Sequence, residues 1–346
     1  MIERESRVRW ALLIMAFVVV VVLAAAARAP VPLSDLWSAS NQQSSTAQRI
    51  FFDIRLPRLL AGLLIGGALA TSGAALQAVF RNPLAEPYLL GISAGGALGA
   101  TVAMALQLPS FTLSTTGHME VQLFDAPAAL AFIGALTAAF LVYRLGSSAA
   151  CTMTWGRSGT ERATLLLTGV ALSAFLTALM SLVVALSPRP ELAQQTTFWL
   201  LGGLANVTMP QNFILMLTLV VGIGMLLASA RDLNALRVSD QEAASLGIAV
   251  IALHRKLLFA AALMAAAAVS VAGLIGFVGL LAPHLMRLLF GSDARTLIPA
   301  AALGGAALLA GCDAVARSAA PPVELPVGII TALLGVPLFL FLARRV

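Results

Sequence analysis

Three groups of side chains in this chain have the types and spacing to do chemistry. Arg55-Leu56-Pro57-Arg58 sets two guanidiniums ahead of a long apolar run, and Arg317 follows Asp313 by four residues. Guanidiniums of this kind can dock carboxylates of an acidic partner through charge-assisted hydrogen bonds. Alternatively, Asp313 and Arg317 can pair with each other along one helix face. Ser239-Asp240-Gln241-Glu242 has the pattern of a capping box, in which a hydroxyl and a carboxylate each satisfy a free backbone N–H. It predicts a short helix from Asp240 to Leu246 that stops at Gly247. Such a rigid, capped helix suits a groove on a soluble partner, with a solvated connection as the plainer alternative. Arg81-Asn82-Pro83-Leu84-Ala85-Glu86-Pro87 places two prolines and an asparagine after an apolar run, which ends a helix. A structural turn explains that stretch; a gate at the end of a path is the sharper reading.

Other chemistries lack their residues. No G-x-x-x-x-G-K-[ST] run is present, so the sequence carries no phosphate-cradling loop for ATP. The histidines are His118, His254 and His284 and the cysteines Cys151 and Cys312, with no metal-ligand spacing among them. No disulfide, metal or cofactor is expected. The absence of a nucleophile paired with a base argues against an intramembrane enzyme. All fifteen Asp and Glu residues fall in loops or near the ends of apolar runs. Ion-coupled transporters place ionisable groups inside the bilayer, so a secondary transporter, the alternative needing no ATPase, is disfavoured.

The elements that must position these groups are membrane helices. Hydrophobic residues make up 60% of the 346 and charged ones 10%, far more apolar surface than a soluble core needs. Ten runs approach the roughly 20 residues that cross a bilayer. They are residues 10–27, 59–79, 89–106, 126–143, 164–186, 211–229, 257–272, 274–290, 296–316 and 325–343. The fold class expected is therefore all-α and polytopic, with ten transmembrane helices in one domain over residues 1–346. A short run at 198–207 reads as a half-helix or re-entrant piece, tolerable only against protein. The first run exceeds a signal-peptide core in length and is expected to be a retained helix.

With the N-terminus in the cytoplasm, Arg28, Arg49, Arg55, Arg58, Arg189 and Arg317 fall outside, and the other fifteen of the 21 Lys and Arg fall inside. That bias gives both termini to the cytoplasm and explains the net charge of +6 without nucleic acid. Residues 231–256 form the longest hydrophilic inner segment. Gly62, Gly66, Ala70 and Ala74, then Gly95 and Gly99, recur at four-residue intervals and mark faces where helices can approach closely.

Four segments, in order and spacing, resemble the FecCD-like permeases of binding-protein-dependent ABC importers, which carry ferric siderophores, haem or cobalamin. They are RLPRLLAGLLIGGALATSGAALQAVFRNPLAEPYLLGISAGGALGA from Arg55, DQEAASLGI from Asp240, GLIGFVGLLAPHLMRLLFG from Gly273 and ELPVGIITALLGVPLFLFLARR from Glu324. The resemblance implies a cobalamin-permease-like fold and a homodimer of permeases in a bacterial inner membrane. It also implies separate ATP-binding cassette ATPase subunits, a periplasmic binding protein and a metal-chelate cargo. By likeness, Arg55, Arg58 and Arg317 dock the binding protein. Asp240, Glu242, Ala243, Leu246 and Gly247 couple to the ATPase, and Asn82 and Leu84 line an inner gate. Iron chelates rank ahead of cobalamin as cargo.

Overall fold

A computed structural model describes residues 2–26, 48–109, 111–115, 119–152 and 158–343. Arg28, Arg157, Arg344 and Arg345 of the charge count lie outside them. Helix α1 (Ile2–Ala26) comes first, and a π-helical turn, Ile50–Arg55, leads into α2 (Leu56–Val79). An elbow containing the 3₁₀ turn Pro87–Leu90 connects to α3 (Ile92–Ala105). After a hairpin, β1 (Phe111–Thr115) and β2 (Met119–Phe124), come α4 (Ala126–Thr152) and α5 (Ser158–Leu186). Then follow α6 (Glu191–Leu201), α7 (Met209–Ala228), α8 (Ala230–Val238), α9 (Asp240–Ser245) and α10 (Val250–Ala272). The chain closes with α11 (Val278–Phe290), α12 (Ala294–Ser318) and α13 (Val327–Ala343).

Among the described residues, α1, α2, α4, α5, α7, α10 and α12 are long and apolar enough to cross a membrane, and α3, α11 and α13 are shorter apolar helices. Seven and three make ten, consistent with the ten runs read from hydropathy. Helices α2 and α10 form the centre, with 78% and 72% of their apolar stretches buried, against 6% for α1 and α5. The outer helices present large apolar side chains such as Leu167, Phe175 and Leu186, as a lipid-facing or subunit-facing surface requires.

Small residues set the spacing at the centre. A Cβ on Gly66 would collide with the Gly305 carbonyl, so α2 and α12 touch backbone to backbone. Gly95 meets Gly134 in the same way where α3 crosses α4. In lipid, where hydrophobic association between helices is weak, such contact supplies the dispersion that holds a bundle together.

Three details differ from the hydropathy reading. The hairpin pairs Thr112 with Gln122 and Leu113 with Val121 in a stretch read as a connection. The expected short helix at 198–207 lies upstream as α6, and ends where Gly202 turns to φ +66°. The apolar window followed Phe198–Val207, but Gly202 leaves helical geometry at a positive φ that glycine adopts readily. The inner segment 231–256 holds α8 in addition to the capped helix; α8 is short and polar and carries no span signal.

A break separates α10 from α11. Gly273 has φ +69°, and Phe277 reaches φ +66°, a conformation a non-glycine residue avoids. Strain of this kind persists only where the surroundings impose it. The elbow does so here: the Glu86 carboxylate accepts the Phe277 N–H at 2.8 Å. The Tyr88 hydroxyl donates to the Ile275 carbonyl at 2.8 Å and accepts its N–H at 3.1 Å. Side chains of the irregular segment 80–91 thus satisfy backbone groups of 273–277 within the bundle, the condition for non-helical chain at membrane depth.

Candidate functional site

Polar chemistry gathers at the two ends of α2. At its Arg58 end, Pro57 occupies a first-turn position whose missing N–H is no loss. The Asn212 amide donates to the Pro57 carbonyl at 2.8 Å and ties α7 to this turn. Arg58 then points inward. Its Nε and Nη2 donate to Asp313 at 3.0 and 2.9 Å, and Nη1 reaches Glu324 at 2.6 Å. Arg317 holds the other Asp313 oxygen at 3.0 Å and donates to the Ala24 carbonyl of α1 at 2.8 Å. The i,i+4 pair expected between Asp313 and Arg317 is therefore present.

Arg58 and Arg317, named by resemblance as docking cations, are held mainly by this chain's own carboxylates. They are only 8% and 7% exposed, and Asp313 is 3% exposed. Buried guanidiniums need carboxylates to offset their lost hydration, and Asp313 and Glu324 supply them. The cluster joins α1, α2, α12 and the Glu324 segment into one lock. Arg55 stands half-buried at its rim.

At the Arg81 end, the helix expected at Asp240 forms as α9. The Ser239 hydroxyl accepts the Glu242 N–H at 2.9 Å. Gly247, at φ +80°, closes the helix: its N–H donates to the Ala244 carbonyl and that of Ile248 to the Ala243 carbonyl. Those two bonds are the Schellman pattern, which needs a residue able to adopt the left-handed conformation. Gln241, Glu242, Leu246 and Gly247 face outward, and Leu246 is 68% exposed. Val238 and Ile251 add apolar surface beside them. Ala243, grouped by resemblance with the coupling residues, is fully buried and anchors α9 against the rest of the chain. A six-residue helix has one inner face, and Ala243 is the small residue that fits it.

Asp240 also turns inward. Arg81 donates to its carboxylate at 2.7 Å and to the Leu236 carbonyl of α8 at 2.9 Å. Arg81 itself sits at φ +48°, the first residue of the elbow to leave helical geometry. The next residue, Asn82, accepts the Leu84 N–H on its side-chain oxygen at 2.9 Å, an Asx turn. Leu84 projects from that turn, 37% exposed. The coupling segment and the expected gate residues are therefore joined by one ion pair, and the elbow carries the connection on to 273–277 through Glu86 and Tyr88.

Asn234 of α8 fixes the far side. Its amide donates to Asp293 at 2.7 Å and its oxygen accepts the Ala294 N–H at 2.9 Å. Asp293 caps α12 by accepting the Arg295 N–H at 3.1 Å. The Asn234 hydrogen bond, then this backbone N–H, hold the Asp293 carboxyl below its ordinary range. Sequence reasoning missed the partners Glu324, Asn234 and Glu86. Glu324 lay within a quoted motif, but nothing local signalled its contact. Among the described residues, no cluster of His, Cys, Asp and Glu could hold a metal.

Comparisons with known proteins agree with this architecture. The model of the FecCD transport family matches residues 12–345. A cobalamin import system permease, BtuC of Halobacterium salinarum, is 44% identical, covering 86% of this chain and 74% of the relative. A hemin transport system permease, HmuU of Yersinia pestis, is 39% identical over 90% of this chain and 87% of its own. A solved structure described as an inward-facing metal-chelate type ABC transporter superimposes with a TM-score of 0.81 at 28% identity, covering 98% and 99% of the two chains. The chain belongs to the FecCD transport family: it is a multi-pass permease subunit of a type II ABC importer, and ATP hydrolysis resides on a separate subunit.

Proposed function

We propose that this permease, a single membrane domain working as a homodimer in a bacterial inner membrane with both termini cytoplasmic, imports a metal chelate. The Arg81 end faces the cytoplasm, consistent with its share of the arginines. The ATPase receives α9 through Glu242, Leu246 and Gly247, with Val238 and Ile251 widening the apolar contact. A soluble partner that grips a rigid helix can displace it as a unit. One observation carries the mechanism: Arg81 spans from Asp240 to the elbow that bears Asn82 and Leu84. Displacement of α9 by nucleotide-driven closure moves the elbow, and Glu86 and Tyr88 pass the movement to the break between α10 and α11. The nucleotide thereby biases a two-state element, as any switch requires.

At the other end, the Arg58–Asp313–Arg317–Glu324 cluster forms the rigid platform on which a periplasmic binding protein docks. Arg55 at the rim offers charge to an acidic partner. The path lies between the two permease copies and is lined in part by α2 and α3. A bulky chelate carried whole needs little specific coordination, so an apolar lining suffices.

The cargo class that fits both named relatives is a metal tetrapyrrole, since haem and cobalamin each hold a metal in such a macrocycle. Haem, an iron chelate, is the first choice. Cobalamin is the second, supported by the 44% identical relative. Uptake into vesicles holding the permease, its ATPase and its binding protein, with haem, cobalamin and a ferric siderophore in competition, tests this. Exclusive siderophore uptake would contradict the tetrapyrrole assignment, and uptake without any ATPase would contradict the importer mechanism itself.

A further inference from the structure

A polar cavity of about 210 Å³ opens beside the Arg81 end of α2, lined by Gln77, Ala78, Arg81, Pro83, Arg237 and Arg287. Three guanidiniums border it, contributed by the elbow, α8 and α11. Their charges are unevenly matched. Arg81 has Asp240 at 2.7 Å. Arg237 donates to the Ser292 carbonyl and feels Asp293, and burial lowers its pKa against that attraction. Arg287 donates to the neutral Gln77 oxygen at 2.8 Å, and its buried Nε has no hydrogen-bond partner among the described residues. Gln77 is 4% exposed, and its amide donates to the Leu280 carbonyl at 3.3 Å, which fixes its oxygen toward Arg287.

A part-buried guanidinium with a neutral partner and a buried, idle Nε donor leaves part of its desolvation uncompensated. A like charge across the cavity raises that cost, whereas an anion between them would offset it. We propose that this cavity binds a phosphate group, held by Arg237 and Arg287 with Arg81 at its edge. Tetrahedral phosphate oxygens can accept from several planar forks at once, which a single carboxylate does less fully. The phosphate of an acidic inner-leaflet lipid is the nearest source if this end is cytoplasmic, and basic pockets between helices on that side are suited to lipid headgroups. Free phosphate offers the same chemistry. The assignment of cargo plays no part here.

The test uses the full-length permease in neutral detergent, followed by thermal shift during titration with short-chain phosphatidylglycerol, short-chain phosphatidylcholine or inorganic phosphate. Saturable stabilisation by phosphatidylglycerol alone identifies lipid phosphate; stabilisation by inorganic phosphate as well identifies the free ion. Either supports the site, provided Arg287→Gln and Arg237→Gln each weaken binding about fivefold, as loss of one cation near a phosphate surface should. Arg231→Gln, an exposed arginine of the same segment, should leave affinity within about twofold, the scale of a screened surface charge. If Arg287→Gln does not fold, Arg237→Gln decides alone. No stabilisation by any phosphate source, or equal loss in Arg231→Gln, overturns the proposal and leaves the cavity to an acidic side chain of the ATPase. Import activity is not a readout, so failure here and failure of the importer mechanism stay separate.

Discussion

The two ends of α2 treat arginine in opposite ways. At the Arg58 end, two guanidiniums meet two carboxylates inside the chain, and three of the four groups are nearly inaccessible. At the Arg81 end, one ion pair of 2.7 Å links α9 to the elbow, while Arg287 has only a neutral partner. The first end has its charges paired within the chain, as the proposed platform requires. The second is incomplete, with an outward apolar edge at Leu246 and an unmatched cation, as a surface that receives other molecules should be. Burial separates the two ends: a desolvated, fully paired cluster resists change, while a single, only partly buried pair can more readily break and re-form.

Breaking the platform should have the largest effect. Asp313→Ala leaves Arg58 and Arg317 without their shared carboxylate. Loss of one partner from a buried pair costs about 3–5 kcal/mol, so thermal denaturation of the purified permease should show a large drop in midpoint or no folded protein. A variant melting within a degree or two of the parent would mean that the cluster is solvated and the contrast between the ends is false.

A smaller effect belongs to the α9 cap. Ser239→Ala removes the acceptor of the Glu242 N–H, worth about 1 kcal/mol. Because that cost falls on six residues at the surface, hydrogen exchange in Asp240–Ser245 should quicken while the global melt hardly moves. Unchanged local exchange would show that Ala243 burial alone holds the helix.

The smallest effect is one of pH. Asp293 has a folded-state pKa below its unfolded value, so its stabilisation is fully present above the unfolded value. It is lost as pH falls through the depressed folded value, below the ordinary carboxylate range of about 3.9. Asp293→Asn should flatten the acid limb of the stability profile slightly; an identical limb would show that Asn234 does not sense the charge.

Much of this arrangement could be read in the chain because it is local. Hydropathy marks runs of residues, so the apolar helices lie near where they were expected. The Gly66 and Gly95 faces repeat every four residues and do meet other helices. The Ser239 cap and the Gly247 stop sit within one turn of the helix they bound, and Asp313 and Arg317 share a helix face. What escaped was nonlocal. Arg58 and Asp313 are 255 residues apart, and Arg81 and Asp240 are 159 apart. No periodicity reports such contacts. An arginine beside an apolar run reads equally as a projecting cation or as half of a buried pair, and only packing decides. The interior role of Ala243 was hidden for a similar reason, because a six-residue helix is too short to reveal its buried face by pattern. The break at 273–277 shows in sequence as two glycines, Gly273 and Gly276, yet its geometry depends on Glu86 and Tyr88 from a distant segment.

The link between α9 and the elbow can be tested by exchanging its charges. ATP hydrolysis and cargo uptake would be measured in vesicles containing the permease, its ATPase and its binding protein, for Asp240→Asn, Arg81→Gln and the swap Arg81→Asp with Asp240→Arg. The single variants should keep hydrolysing ATP while uptake falls about tenfold, the equivalent of about 1.4 kcal/mol of lost coupling, and the swap should recover part of it. Normal uptake in both single variants would contradict the account, because displacement of α9 would then reach the elbow by some route other than the Arg81–Asp240 pair.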